Sequence, residues 1–135
     1  KRALVTNFAN GDINFIGDCC FSYSGGINVG AGVEQTISEF ITNSSYMITE
    51  MQFSVLAKNQ SDNSTFIVYM NDVVLYFNET EDTESAGFDA PLKLVIPPFT
   101  KIKITAAITG AGGIEHAALV TGKVYAGAEI IQGAI

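Results

Sequence analysis

FIVYMNDVVLYF, residues 66–77, is nearly a palindrome: two apolar runs rich in β-branched and aromatic side chains flank Asn71-Asp72. Asn and Asp tolerate the positive φ that a two-residue hairpin turn requires. The stretch therefore predicts a β-hairpin that closes 66–70 onto 73–77. Both faces of the hairpin are apolar. Phe66, Val68 and Met70 share one side of the first limb, and Ile67 and Tyr69 share the other. Val73, Leu75 and Phe77 alternate with Val74 and Tyr76 on the returning limb. One face can fill a core. The other must be covered by a loop, by the N-terminal segment or by a neighbouring subunit, because otherwise it is an exposed apolar patch.

The same period of two recurs outward from the hairpin. Met51, Phe53 and Val55 alternate with Gln52 and Ser54. Leu92, Leu94 and Ile96 lie together, and so do Ile102, Ile104 and Ala106 against Lys101, Lys103 and Thr105. Val33, Ile37 and Ile41 alternate with Glu34 and Ser38. Alternation of this kind marks half-buried strands. No run carries the i, i+3, i+4, i+7 spacing of a long helix, and 31–41 is the most helix-tolerant segment.

Loops rich in Gly, Asn, Ser and Pro fall at 24–32, 42–45, 58–64, 78–91, 97–98 and 109–113. They separate strands expected near 3–8, 13–23, 33–41, 46–57, 65–70, 73–78, 92–96, 101–108 and 116–126. Short strands at such spacing, with no helix between them, predict an all-β fold. The expected form is a two-sheet antiparallel sandwich, jelly-roll-like, of about eight strands. At 135 residues the chain is read as a single β-sandwich domain, 1–135. The tail, AGAEIIQGAI, is small and apolar and is expected to pack on the domain or a neighbour.

Composition narrows the function. Apolar residues make up 47% and charged residues 16%, which leaves little charge to cover a monomer and points to surface buried between subunits. The net charge of -7 opposes nucleic acid and anionic membranes. Seven acids but only Lys58 fall between residues 58 and 90, whereas Lys93, Lys101, Lys103 and Lys123 outnumber the acids beyond 91. An acid-rich edge of one subunit could meet a Lys-rich edge of the next, and such an assembly would weaken with salt. No apolar run reaches the length of a transmembrane helix. No signal peptide is visible, and removal of an upstream segment is left open by the initial Lys1.

Catalytic and metal-binding constellations are not evident. Cys19 and Cys20 are adjacent, so on a strand they point to opposite faces and read as free thiols. With them, the single His116 supplies too few ligands for zinc. His116 sits in no nucleophile-elbow context and is placed at a loop-to-strand junction. The Gly-rich loops match no phosphate-binding fingerprint. Glu79, Glu81, Asp82 and Glu84 cluster in a loop that could hold calcium, without the spacing of an EF-hand. The four Asn-x-Ser/Thr matches, at Asn43, Asn59, Asn63 and Asn78, matter only in a secreted eukaryotic protein. The expectation is a protein that is not an enzyme, with no catalytic, cofactor or metal residues to assign. The absence of Trp argues against a sugar platform, although a carbohydrate- or receptor-binding module, possibly calcium-assisted, stays open as the alternative.

Across residues 68–126, in VYMNDVVLYFNE, APLKLVIPPFTKIKITAAI and ALVTGKVYA, the chain resembles small β-sandwich structural proteins of tailed phages and related viruses. The shared features are a hairpin with an Asn-x turn, a Pro-x-x-x-x-Ile-Pro-Pro-x-Thr strand pair (Pro91 to Thr100) and a closing Gly-x-x-Tyr strand (Gly122 to Tyr125). The resemblance implies a virion component, either a capsid decoration or a minor capsid protein. It would be commonly homotrimeric, with a capsid lattice as partner. It marks no binding residue.

Overall fold

The computed structural model describes residues 13–30, 32–56, 63–80, 86–87, 91–109 and 114–126. The expected strand at 3–8, the tail after 126, and Glu81, Asp82 and Glu84 of the acidic cluster lie outside the described residues.

The described residues form two antiparallel sheets. The first contains β1 (Asn14–Ile16), β2 (Cys19–Tyr23), β3 (Ile27–Val29), β5 (Ser45–Leu56), β8 (Ala86–Gly87), β9 (Leu92–Ile96) and β11 (Ile114–Ala126). The second contains β4 (Gln35–Ile41), β6 (Ser64–Met70), β7 (Val73–Thr80) and β10 (Lys101–Ile108), in the order β4-β10-β6-β7. In the first sheet β11 lies between β2 with β3 on one side and β5 on the other, and β5 carries β8 and β9 on its far side.

The pairing has a simple origin. β6 pairs with β7, β5 with β9, β4 with β10, and β2 and β3 with β11. This is a long antiparallel ribbon, folded at the 71–72 turn and rolled into two layers, which is the jelly-roll arrangement. Its eight limbs match the number expected from sequence. Among the described residues there are eleven strands, because two limbs are broken, into β2/β3 and β8/β9, and β1 adds an edge.

The sequence boundaries move in identifiable places. The segment 13–23 is a hairpin rather than one strand, turning at Gly17 with φ of 60°. The Gly-rich 24–32 stretch contains β3, which pairs with Ile114–His116 and so starts β11 two residues before the expected 116. β7 extends to Thr80, into the expected loop.

Strand β4 corrects the expected facing of its segment. Its register with β10 shifts between Ile104 and Thr105, leaving Ile37 as an extra residue. The bulge turns both Ile37 and Ser38 inward, and Val33 and Ile41 end outside, 58% and 66% exposed.

The core between the sheets is closed by Met47, Met51 and Val55 of β5, Phe66 and Val68 of β6, Ile96, Ile102, Ile104 and Ile108, and Val120. Phe53 bridges the layers, with its ring centroid 5.0 Å from Phe66 and 6.0 Å from Tyr76. The alternations read at 51–55 and 102–106 point inward as expected, except that Thr105 on the outer side is also buried.

Candidate interaction surface

The Asn71-Asp72 turn forms as the sequence implies, with φ of 53° and 70° and Met70 paired to Val73. Asn71 fixes the turn to β10: its N–H donates to the Lys101 carbonyl and its Oδ1 accepts the Lys101 N–H, each at 2.9 Å. The Lys101 ammonium lies 2.9 Å from Asp72, which lowers the carboxyl pKa of Asp72 and raises the pKa of Lys101.

A second bulge, between Val68 and Tyr69, leaves Leu75 unpaired. This changes the expected faces of the returning limb. Tyr76 turns inward, opposite Val68 and against Phe53, while Val74 and Phe77 both face out. Ile67 and Tyr69 share that outer face, as read from the sequence.

Two rows cross the outer face of the four-stranded sheet. Thr36, Thr105, Ile67 and Phe77 form one, and Glu39, Lys103, Tyr69 and Val74 the other. The face thus grades from polar on β4 to apolar on β7. Glu34 covers the middle: its Oε2 accepts hydrogen bonds from Tyr69 at 2.5 Å and Thr105 at 2.6 Å. The Thr105 bond, then the Tyr69 bond, holds the Glu34 carboxyl below its ordinary pKa. The Glu34 bond raises that of Tyr69. The Lys103 ammonium sits 4.8 Å from the Tyr69 ring centroid.

Beyond this polar clasp the surface is apolar. Val73, Val74, Leu75 and Phe77 are 67%, 54%, 46% and 59% exposed, in one strand. β7 is the edge of its sheet, with β6 its pairing partner among the described residues. Sequence reading found the apolar character of this face, but it could not find the bulge that chooses which side chains form it.

Phe99 adds an exposed aromatic at the end of the sandwich that holds the 71–72 turn. It is 74% exposed, with a φ of 54° that an aromatic side chain rarely adopts. Its N–H donates to the Asn43 carbonyl at 2.9 Å, and Thr42 and Thr100 bond alongside.

The opposite outer face carries an open depression of about 500 Å³, bordered by Cys19, Ile48, Glu50, Lys93, Lys123 and Tyr125. Its floor includes Gly122, where a Cβ would stand 2.3 Å from the Ile48 carbonyl oxygen. The Lys-rich C-terminal half does not form one edge. Lys93 and Lys123 border this depression, whereas Lys101 and Lys103 belong to the other sheet and contact Asp72 and Tyr69.

The remaining chemical groups fall as follows. Cys19 is exposed and Cys20 buried, both free; burial, then the neighbouring thiol, pushes the Cys20 pKa up to about 11. His116 lies inside β11 rather than at its junction. It is fully buried, with Nε2 3.1 Å from Ser64 Oγ and its ring 5.6 Å from Phe66. Glu79 is exposed on β7. Among the described residues no three His, Cys, Asp or Glu side chains gather as a metal site.

No family model matches the chain, and no curated protein matches it. Among solved structures it is similar to dimeric latent PorU from Porphyromonas gingivalis, with a TM-score of 0.53 and 10% identity. That likeness covers 90% of this chain and 14% of PorU, and it is one of fold alone. The chain is also similar to the VP2 subviral particle of infectious bursal disease virus, with a TM-score of 0.46 and 12% identity over 78% of this chain and 32% of VP2.

Proposed function

We propose that the protein is a non-enzymatic structural protein of a virion, a capsid decoration or minor capsid protein that self-associates and packs on a capsid lattice. It has no nucleic-acid or membrane partner in this reading. The observation that carries it is the exposed apolar run Val73, Val74, Leu75 and Phe77 beside Ile67 on the outside of the β6–β7 hairpin. A surface of this kind is normally covered by a partner. The jelly-roll pairing is compatible with such a role, although the same architecture serves lectins and cupins. The sequence resemblance over residues 68–126 adds the virion and favours a homotrimer.

The test is native mass by light scattering behind a sizing column, at low and high salt, for the protein and for Val74→Glu. Self-association that Val74→Glu abolishes while circular dichroism stays β-rich supports the reading. An apolar contact of this kind holds at high salt, whereas an acid-to-lysine contact weakens. A monomer in all conditions would turn the argument to a soluble binding module, for which the depression bordered by Lys93 and Lys123 offers a concave surface.

A further inference from the structure

Four lysines fall among the described residues, and they divide evenly. Lys101 is held by Asp72 and Lys103 lies over the Tyr69 ring. Lys93 and Lys123 make no ion pair among the described residues, and both border the depression on the outer face of the first sheet. Strand register explains their placing. Lys123 of β11 stands between Cys19 of β2 and Ile48 of β5, so neither strand-paired neighbour is an acid. Glu50 of β5, one row along, stands between Thr121 and Lys93. Glu50 and Lys93 are cross-strand neighbours that do not close to an ion pair. Tyr125 and Ile48 add exposed apolar surface to the same border. The floor is backbone. Here β11 and β5 meet so closely that a Cβ at Gly122 would stand 2.8 Å from the Thr49 Cα, and the Thr49 hydroxyl donates to the Leu94 carbonyl at 2.9 Å. The hollow therefore belongs to paired strands rather than to a loop. Its volume of about 500 Å³ is that of a small-molecule site.

We infer that this depression is a binding site for a sugar that carries a carboxylate, such as a uronic acid. Two ammonium groups against one carboxylate leave its border positive, in a chain whose net charge is -7, and this selects an anion. Lys123, with no acid paired beside it, takes the ligand carboxylate. Glu50 accepts hydrogen bonds from neutral hydroxyls, and the Thr121 hydroxyl accepts or donates them. Tyr125 and Ile48 cover the apolar face of the ring. Glu50 also sets an upper limit on ligand charge. A phosphate monoester, with nearly two negative charges, would be held against the Glu50 carboxylate. The site lies on the outer face of the first sheet, away from the β6–β7 surface of the second. It does not depend on the self-association proposed above, and the two readings fail separately.

Amide chemical shifts of the isotopically labelled protein, titrated with methyl glucuronide at millimolar concentration, test this. The matched ligand is methyl glucoside, which carries a hydroxymethyl group in place of the carboxylate. The glucuronide should move the amides of residues 48–50 and 121–125 along one saturable curve, and the glucoside should bind there about tenfold or more weakly. Lys123→Met keeps the length of the side chain and removes its charge, so it should bring glucuronide binding down to the level of the glucoside. Lys101→Met, in the other sheet, should leave it unchanged. The comparison of the two sugars on the unmodified protein stands even if a variant fails to fold. The assignment would be overturned by no saturable shift at these residues, by equal binding of the two sugars, by acetate binding as tightly as the glucuronide, or by tighter binding of glucose 6-phosphate.

Discussion

Ser22 faces inward across from Val120, fully buried, and its Oγ has no hydrogen-bond partner among the described residues. A buried hydroxyl left unpaired costs about 1–3 kcal/mol. Ser22→Ala should therefore raise the urea midpoint by about 1 kcal/mol of stability at unchanged slope. A lower midpoint would show that the hydroxyl is satisfied in solution. The Glu34 clasp gives a pH signature. The pKa of Glu34 is lowered on folding, so its contribution is present above the ordinary value of 4.5 and is lost as pH falls through the folded value. The pKa of Tyr69 is raised, so its contribution is present below 10.0 and is lost as pH rises through the folded value. One hydrogen bond thus fails at both ends of the scale. The stability advantage of the protein over Glu34→Gln should be constant near neutrality and shrink as pH drops below 4.5. An advantage that persists in acid would discount the clasp. This clasp was not legible in the sequence, because Glu34, Tyr69 and Thr105 are far apart in the chain and meet only through the pairing of β4, β10 and β6.

At the scale of elements, the hairpin was the most legible part. Asn71-Asp72 carries its own backbone preference, and the apolar limbs fix its ends. Asn71→Ala places a Cβ-only residue at φ of 53° and removes the bond to the Lys101 N–H. It should cost about 1–2 kcal/mol, read from thermal or urea unfolding. Asp72→Gly relieves the positive φ while losing an exposed ion pair, and it should be neutral or stabilising. A large loss there would mean that the Lys101 contact matters more than the turn. The two bulges were not legible. A period of two shows which residues alternate but not where an extra residue enters, so Val33 and Ile41 were grouped with Ile37, which is buried, and Tyr76 with Val74, which faces out. That error bears on the candidate surface, because the Leu75 bulge turns Val74 and Phe77 outward together.

For the whole molecule, the two-sheet sandwich followed from strand count, spacing and the lack of helical periodicity. The winding of the ribbon did not, because register between strands such as Ser45–Leu56 and Ile114–Ala126 depends on contacts no local pattern encodes. That winding puts β11 at the centre of its sheet, paired along its length with β5 on one side and with β2 and β3 on the other. A chain ending at Thr109 would leave those three strands without their common partner. It should show no cooperative unfolding transition, and a folded truncated chain would refute the central role of β11.

The same placement governs the protein's birth on the ribosome. The 71–72 hairpin can close as soon as both limbs have emerged, but the layer that must cover it stays incomplete until residues beyond 114 are made. Until then its apolar limbs stand open to neighbouring nascent chains. Such distant pairing is slow, and copies translated close together on one message have their best opportunity to meet before either has finished folding.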